Sequence, residues 1–543
     1  MKNKIIYPTK LQRSWTLLII VMLMNVSIPS FAQAPNWLWA RSGGSISNDY
    51  SNATCTDANG NVYITGTFQG STITFGSYTL QNVTAGTLDI FIAKYDATGN
   101  VLWAESGGGT RDDYAYGIAA DVNGNVYITG YFRSPSIMFG TITLTHSDST
   151  GIYDDIFIAK YDSAGNVLWA KSAGSKVSWE RSYGICTDTD SNVYITGMYV
   201  SSTPVIFGSD TLINRGGYDI FIAKYDAGGN LLWAKSEGGT SYDFGIGICF
   251  DISGHFYLTG YQYQAVFGND TLTGNGLSVF VAKYDTSGNI LWAKNALGPN
   301  VFSFSVGTGI TTFSGSNVYI TGFFRYSVSF GNDTLSNAGT DGIFIARYDS
   351  SGNALWGRSP GGTNYDYSNS ICTDANGNAF VTGYFASSFL NFGGIPVLNA
   401  NAGFLDVFVA QYDSSGNALW AKSIGGQDYD YGMGISSNAI GDVYLTGYFG
   451  SYSLNFGSTT VTNNGSYDIF LAKLSSLVGI NEAENFDNNI LIFPNPTTNE
   501  IRIQNTEGRI ESVEVWDVMG ELCLRALTPS PSPGGEGGAS IDV

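Results

Sequence analysis

Six acidic residues recur at one position of a repeated unit, and an aromatic residue follows most of them. The acids are Asp49, Asp113, Glu180, Asp243, Asp366 and Asp430, with Ser305 in the remaining copy. The next position holds Tyr50, Tyr114, Arg181, Phe244, Val306, Tyr367 and Tyr431, and the preceding one holds Asn48, Asp112, Trp179, Tyr242, Phe304, Tyr365 and Tyr429. Carboxylates around an opening can hold a cation, accept hydrogen bonds from sugar hydroxyls, or divide into the acid and base of a glycoside hydrolase. Flat aromatic faces beside them offer stacking surfaces. A plainer role competes, in which each acid bonds backbone N–H groups of its own loop and each ring packs between neighbouring units. Recurrence in nearly every copy favours the plainer role. The departures at Trp179, Glu180 and Arg181 and at Phe304, Ser305 and Val306 are where an asymmetric ligand would be read.

Other chemistry finds little support. The two histidines, His146 and His255, have no Ser, Cys or metal-ligand partner at a recognisable spacing. Gly-x-Ser-x-Gly, His-Glu-x-x-His and phosphate-binding glycine loops are lacking. Acids repeated in matching surroundings give no division into acid and base, so catalysis is not the expected role. No cofactor is required; calcium at the acidic opening is the one candidate, and no metal ligand set is assigned.

The elements that carry these residues repeat. "NVYITG" stands at Asn61, Asn125, Asn192 and Asn317, with variants at 255, 378 and 442. "DIFIAKYD" and its variants begin at Asp89, Asp155, Asp219, Ser278, Gly342, Asp406 and Asp468. A Trp in "LWA" or "LWG" stands at 39, 103, 169, 233, 292, 356 and 420, spaced by 64, 66, 64, 59, 64 and 64 residues. In "DIFIAKYDAGGNLLWAKS" (219–236), Ile220, Ile222 and Lys224 alternate with Phe221, Ala223 and Tyr225. Both faces of that strand are largely apolar, so both are covered. Asp226 and Gly229 close a hairpin, the Asp by accepting N–H bonds and the Gly by taking positive φ. One such Asp falls short of the roughly six to eight oxygens that calcium takes. The charged and aromatic stretch is scaffold.

A unit of this length with four strands covered on both faces predicts a β-propeller blade. From the centre outward the strands are "GIAAD" (117–121), "VYITGYF", "DIFIAKYD" and "NVLWAKS", with "FGxxTL" as an extra hairpin after the second. The N-terminal "NWLWARSGG" is a fourth strand lacking its first three, and the seventh copy ends at "DIFLAKL" without its fourth. Pairing Trp37–Ser42 with Asp468–Leu474 predicts a closed, all-β, seven-bladed ring over 35–475 with no free edge. A parallel β-helix is the weaker alternative, because its rungs are shorter.

Apolar residues make up 43% of the 543, with 69 Gly, 34 Tyr and 32 Phe, and 13% are charged, which reads as globular and turn-rich. A net charge of −20 makes nucleic acid and anionic membranes poor partners. Lys2, Lys4, Lys10 and Arg13 precede the apolar "WTLLIIVMLM" and an Ala-x-Ala site ending at Ala34, the pattern of a cleaved signal peptide over 1–34. Ten apolar residues are too few to span a bilayer, and no transmembrane segment is expected in the mature chain. Cys55, Cys186, Cys249 and Cys372 share one slot with Ala119, Thr311 and Ser436, which marks buried free thiols rather than a disulfide framework.

The unit "GNVYITG…FG…TL…DIFIAKYD…GN.LWAKS.GG", spanning about 36–474, resembles the SBBP family of bacterial β-propeller repeats. That resemblance implies the fold and a secreted or surface setting, with no assigned activity. After a polar linker (476–489), "ILIFPNPTTNEIRI" (490–503) and "VEVWDVMGEL" (513–522) resemble the C-terminal sorting domain of cargo of the type IX secretion system of Bacteroidetes. This implies a small β-sandwich-like domain over 490–543, recognition by the type IX machinery, and release or attachment at the outer-membrane surface. "TPSPSPGGEGG" (528–538) interrupts the pattern before "ASIDV", so the domain is read as truncated, with a periplasmic location expected where it does not function. The expectation is a secreted or cell-surface binding or adhesion module with a glycan or surface protein as partner. A glycan-active hydrolase or lyase and a purely structural envelope protein are the alternatives.

Overall fold

The structure, a computed structural model, describes residues 34–475 apart from 149–150, 201–202, 275, 299–301, 314–316 and 338, together with the backbone of five short strands between 490 and 542. The leader up to residue 33 and the linker at 476–489 lie outside the described residues.

Seven antiparallel sheets follow one another, each built from an inner strand outward; six have four strands, and that of blade one has six because the blade-two hairpin joins its outer edge. In blade two the strands are Asp113–Ala120, Val126–Phe132, Asp155–Tyr161 and Val167–Ala173. Blade seven combines Asp430–Ser437, Val443–Phe449 and Asp468–Leu474 with Trp37–Gly43 from the other end of the repeat. Trp39 lies opposite Lys473 and Ala40 opposite Ala472, so the expected closure is present. One correction concerns the inner strand, which begins earlier than "GIAAD". Asp113 pairs with Phe132, which draws the acidic and aromatic positions out of the connecting loop and into the sheet.

Blades stack face to face, and this buries the second and third strands of blades one and two along their whole length. Phe221, Ala223 and Tyr225 of blade three pack with Ile158 and Trp169 of blade two, while Ile220 and Ile222 pack with Leu258 and Phe280 of blade four. One alternating strand thus serves two cores. Full burial of each such apolar side chain contributes roughly 1.5–3 kcal/mol. Seven extra hairpins sit between second and third strands; those at Phe389–Phe392/Ile395–Leu398 and Ser453–Phe456/Thr459–Thr462 escape the "FGxxTL" pattern. They reach the preceding blade, as where Met138 and Phe139 pair with Gly108 and Gly107.

The recurring Lys and Trp lock successive blades. Trp103 Nε1 and Lys94 Nζ of blade one both donate to the Ser163 carbonyl in the outer hairpin of blade two, at 3.1 and 3.0 Å. Trp169 and Lys160 treat Ala227 of blade three in the same way. Gly165, at φ 93°, lets that hairpin lie on the Trp103 ring. Blade six faces no such hairpin, because the outer strand of blade seven comes from the other end of the ring. Its Lys position holds Gln411, whose Oε1 accepts the Trp420 indole N–H at 2.6 Å.

In the C-terminal region Ile490–Phe493, Glu500–Asn505 and Gly538–Asp542 form one small sheet, and Ser512–Trp516 pairs with Leu522–Leu527. The Pro/Gly-rich run therefore precedes a further paired strand.

Candidate functional site

The six acids are sealed from solvent. One oxygen of Asp366 accepts the N–H groups of Ala386 and Ser387, both at 3.1 Å, and the other accepts Ser387 Oγ–H at 2.6 Å. Asp113 takes the N–H groups of Arg133 and Ser134 and the Ser134 hydroxyl, and Asp430 takes those of Gly426 and Ser451. Asp243 accepts from Gly239 and Tyr263, each at 2.8 Å. Asp49 holds Ser45 and Gln69, and Glu180 holds the N–H and hydroxyl of Ser175. In blade five Ser305 Oγ accepts the Val279 N–H at 3.0 Å. Each side chain at this position accepts a backbone N–H, the acids from their own blade and Ser305 from the third strand of blade four. Burial pushes Asp49, Asp113, Asp366 and Asp430 up to about 7, Asp243 to about 6 and Glu180 to about 9. The acids close loops within the wall of the ring and form no solvent-facing ring of charge.

Different residues face the channel. Every inner strand carries a β-bulge at one place, with register shifts such as those between Ser51 and Ala53 and between Ala115 and Gly117. The bulged residues are Asn52, Tyr116, Tyr183, Ile246, Thr308, Asn369 and Met433, all half-buried. All but Ile246 line a central channel of about 240 Å³. The glycine of "YITG" is the other half of this device. A Cβ on Gly130 would stand 1.8 Å from the Tyr114 carbonyl oxygen, and one on Gly447 1.8 Å from that of Tyr431. A glycine inside a strand is a bulge signal, so the repeated Gly was the clue to this ring that the sequence reading missed.

Toward the start of the inner strands the opening is collared by aromatic rings. Tyr431 stacks on Tyr448 at 4.6 Å, and Tyr448 meets Tyr50 at 4.9 Å. Tyr384 lies 4.9 Å from Tyr431, Tyr367 5.3 Å from Tyr384, and Phe323 4.6 Å from Tyr367. These contacts run unbroken from blade five through blade seven to blade one. A second group joins Tyr114, Tyr131, Tyr116 and Tyr183 across blades two and three. Trp179 is 41% exposed and stands edge-on to Tyr153 at 5.5 Å. The structure thus brings Tyr50, Tyr114, Tyr367 and Tyr431 to one opening. It adds their second-strand neighbours Tyr131, Tyr384 and Tyr448, which strand alternation hid among core positions.

His146 is buried with both ring nitrogens occupied, Nδ1 accepting the Asp148 N–H at 3.0 Å and Nε2 facing the Tyr153 carbonyl at 3.2 Å. Among the described residues no group of three or more His, Cys, Asp or Glu is placed to hold a metal, and no helix is long and apolar enough to cross a membrane. Cys55, Cys186, Cys249 and Cys372 are free thiols packed with the apolar clusters between blades; Cys186 is buried and the other three are half-buried.

No family model matches the chain. Among curated proteins, the uncharacterized WD repeat-containing protein L264 of Acanthamoeba polyphaga mimivirus is 26% identical over 536 residues, covering 81% of this chain and 38% of that protein. Regulatory protein FlaEY of Caulobacter vibrioides is 25% identical over 145 residues, covering 27% of this chain and 15% of that protein. The chain therefore spans well under half the length of either. Solved structures similar in shape include a protein of unknown function from Dyadobacter fermentans (TM-score 0.37, 10% identity, 66% of this chain and 94% of that one). Puromycin hydrolase (TM-score 0.40, 10% identity) covers 88% of this chain and 62% of its own. The gluconolactonase XC5397 of Xanthomonas campestris (TM-score 0.31, 11% identity) covers 66% and 86%. At these scores no activity passes to this chain; the seven-bladed fold rests on its own sheet order.

Proposed function

We propose that this propeller is a non-catalytic binding module of the cell exterior that holds a polysaccharide, or a surface protein, against its channel mouth. The observation that carries the reading is the ring of seven bulges. Six of them aim inner-strand positions that vary from blade to blade into the channel, beneath a collar of tyrosines. Seven copies of one unit build a symmetric wall, and varied side chains at one depth give that wall a surface able to tell one ligand from another. The mouth acids are sealed from solvent and bound to their own loops, out of a substrate's reach, which weighs against a hydrolase or lyase. The leader-like N-terminus and the tail resembling a sorting domain support export through the type IX system, with adhesion at the surface as the role.

The test is native gel electrophoresis of the whole chain through neutral and acidic polysaccharides, alongside an assay for released reducing ends. Retardation by at least one polysaccharide, weakened in Tyr431→Ala and Tyr367→Ala and without bond cleavage, is the expected result. Unretarded migration through every gel would remove the reading.

A further inference from the structure

At the junction of blades two and three the collar carries charge. Asp154 is fully buried and accepts Nε–H of Arg133 at 2.7 Å and Nε–H of Arg181 at 2.6 Å. Two guanidiniums share one carboxylate, so the cluster holds one surplus positive charge. Only the Nε of each engages Asp154; the Arg181 guanidinium also meets the Tyr183 hydroxyl, whereas the Nη groups of Arg133 are left for another acceptor, and the two side chains are 32% (Arg133) and 28% (Arg181) exposed. Arg181 lies over the Tyr131 ring at 4.6 Å, with Tyr116 and Tyr183 adjoining.

The chain contains its own comparison. At the junction of blades five and six, Arg325 occupies the place of Arg133 and Asp341 that of Asp154. There Arg325 spends both Nε (2.7 Å) and Nη2 (3.1 Å) on Asp341, and Tyr367, in the place of Arg181, donates its hydroxyl at 2.6 Å. That junction is neutral and its guanidinium fork is closed. The fold is therefore satisfied by one Arg, and Arg181 is surplus to it.

We propose that the Arg133–Asp154–Arg181 cluster is an anion subsite that takes the carboxylate of a uronic acid unit, while the Tyr116 or Tyr183 ring takes the sugar face. The inference rests on the mouth being the binding surface. A guanidinium fork matches a carboxylate in two parallel hydrogen bonds, and arginine stacks on aromatic faces, so the same residues hold both parts of such a sugar.

The experiment is affinity electrophoresis of the whole chain in gels holding polygalacturonate, dextran sulfate or dextran, at about 0.15 M salt, where a Debye length of ~8 Å screens the overall negative charge. Polygalacturonate is expected to retard the wild type most. Hydrogen bonds to charged groups are worth about 1.5–3 kcal/mol, so Arg181→Tyr is expected to weaken this at least about ten-fold. Arg181→Tyr installs the residue that blade six already carries, and Arg133→Gln gives the same loss through a second route. Undiminished retardation of both variants by polygalacturonate overturns the subsite, and equal retardation of the wild type by dextran sulfate overturns its assignment to carboxylate. Retardation by dextran alone overturns the subsite and leaves the mouth reading standing. If none of the three polymers retards the chain, both fall.

Discussion

Ser305 stands where six other blades have an acid, and it too accepts a backbone N–H, though from Val279 in the third strand of blade four and not from its own loop. What the position needs is an acceptor, since a buried N–H without one costs about 1–3 kcal/mol. Asp366→Ala would strand the N–H of Ser387 and take the acceptor from its hydroxyl, while the Ala386 N–H keeps the Tyr365 carbonyl, and is expected to destabilise the chain by about that much. Asp366→Asn keeps an oxygen for both N–H groups and turns its NH2 toward Ser387 Oγ, so its cost is expected to be less than half. Thermal melts of the two variants measure this, and neither is expected to change binding. An Asn variant that melts like the wild type but no longer binds would return Asp366 to the ligand. The acidic column was legible in the sequence because it repeats. Its burial was not, because burial depends on strand pairing that extends the inner strand past the point where composition places its start.

The inner strand needs two residues, sixteen apart in the chain, to form its bulge. Gly130 gives up its side chain so that the Tyr114 carbonyl can lie against it, and Tyr116 is thereby turned into the channel. Gly130→Ala places a methyl where the carbonyl oxygen already is, and overpacking of this kind costs about 1–3 kcal/mol or more. Tyr116→Asn, the residue that blades one and six carry at this position, is expected to stay within ~0.5 kcal/mol of the wild type. Melting both proteins tests whether the bulge belongs to the fold and its side chain to function. Equal destabilisation would make Tyr116 a packing residue and weaken the case for the channel ring. Strands, hairpins and the Lys–Trp lock were legible because each recurs with its chemistry intact. The channel ring was not, because its members differ from blade to blade. The Arg133–Asp154–Arg181 cluster stayed hidden because its members lie 21 and 27 residues apart, two of them at strand ends of blade two and one on the inner strand of blade three.

Across the whole ring the loop-closing acids act together. The incomplete units at the two ends of the repeat were enough to foresee closure, and closure places buried acids around the full circle. Burial pushes Asp49, Asp113, Asp366 and Asp430 up to about 7 and Asp89, Asp219, Asp243, Asp406 and Asp468 to about 6, whereas an unfolded Asp titrates near ~3.9. Between about pH 4 and pH 7 the folded chain holds protons that the unfolded chain has released. Unfolding then releases protons, and stability falls as pH rises through that window. The exposed hairpin acids act in the opposite sense. Slight burial raises Asp96, but hydrogen bonds from Thr98 and Asn100 outweigh it and hold it down at about 2, so its contribution is lost only as pH drops below about 4. Stability is therefore expected to peak near pH 4–5 and to decline toward pH 8. A melting series over pH 3–8 at constant salt measures it, and Asp430→Asn is expected to flatten the upper limb. A melting temperature that holds level or climbs from pH 5 to pH 8 would mean that the loops carry these acids ionised. The mouth would then be ringed by buried negative charge, and a cation would become the natural occupant to test next.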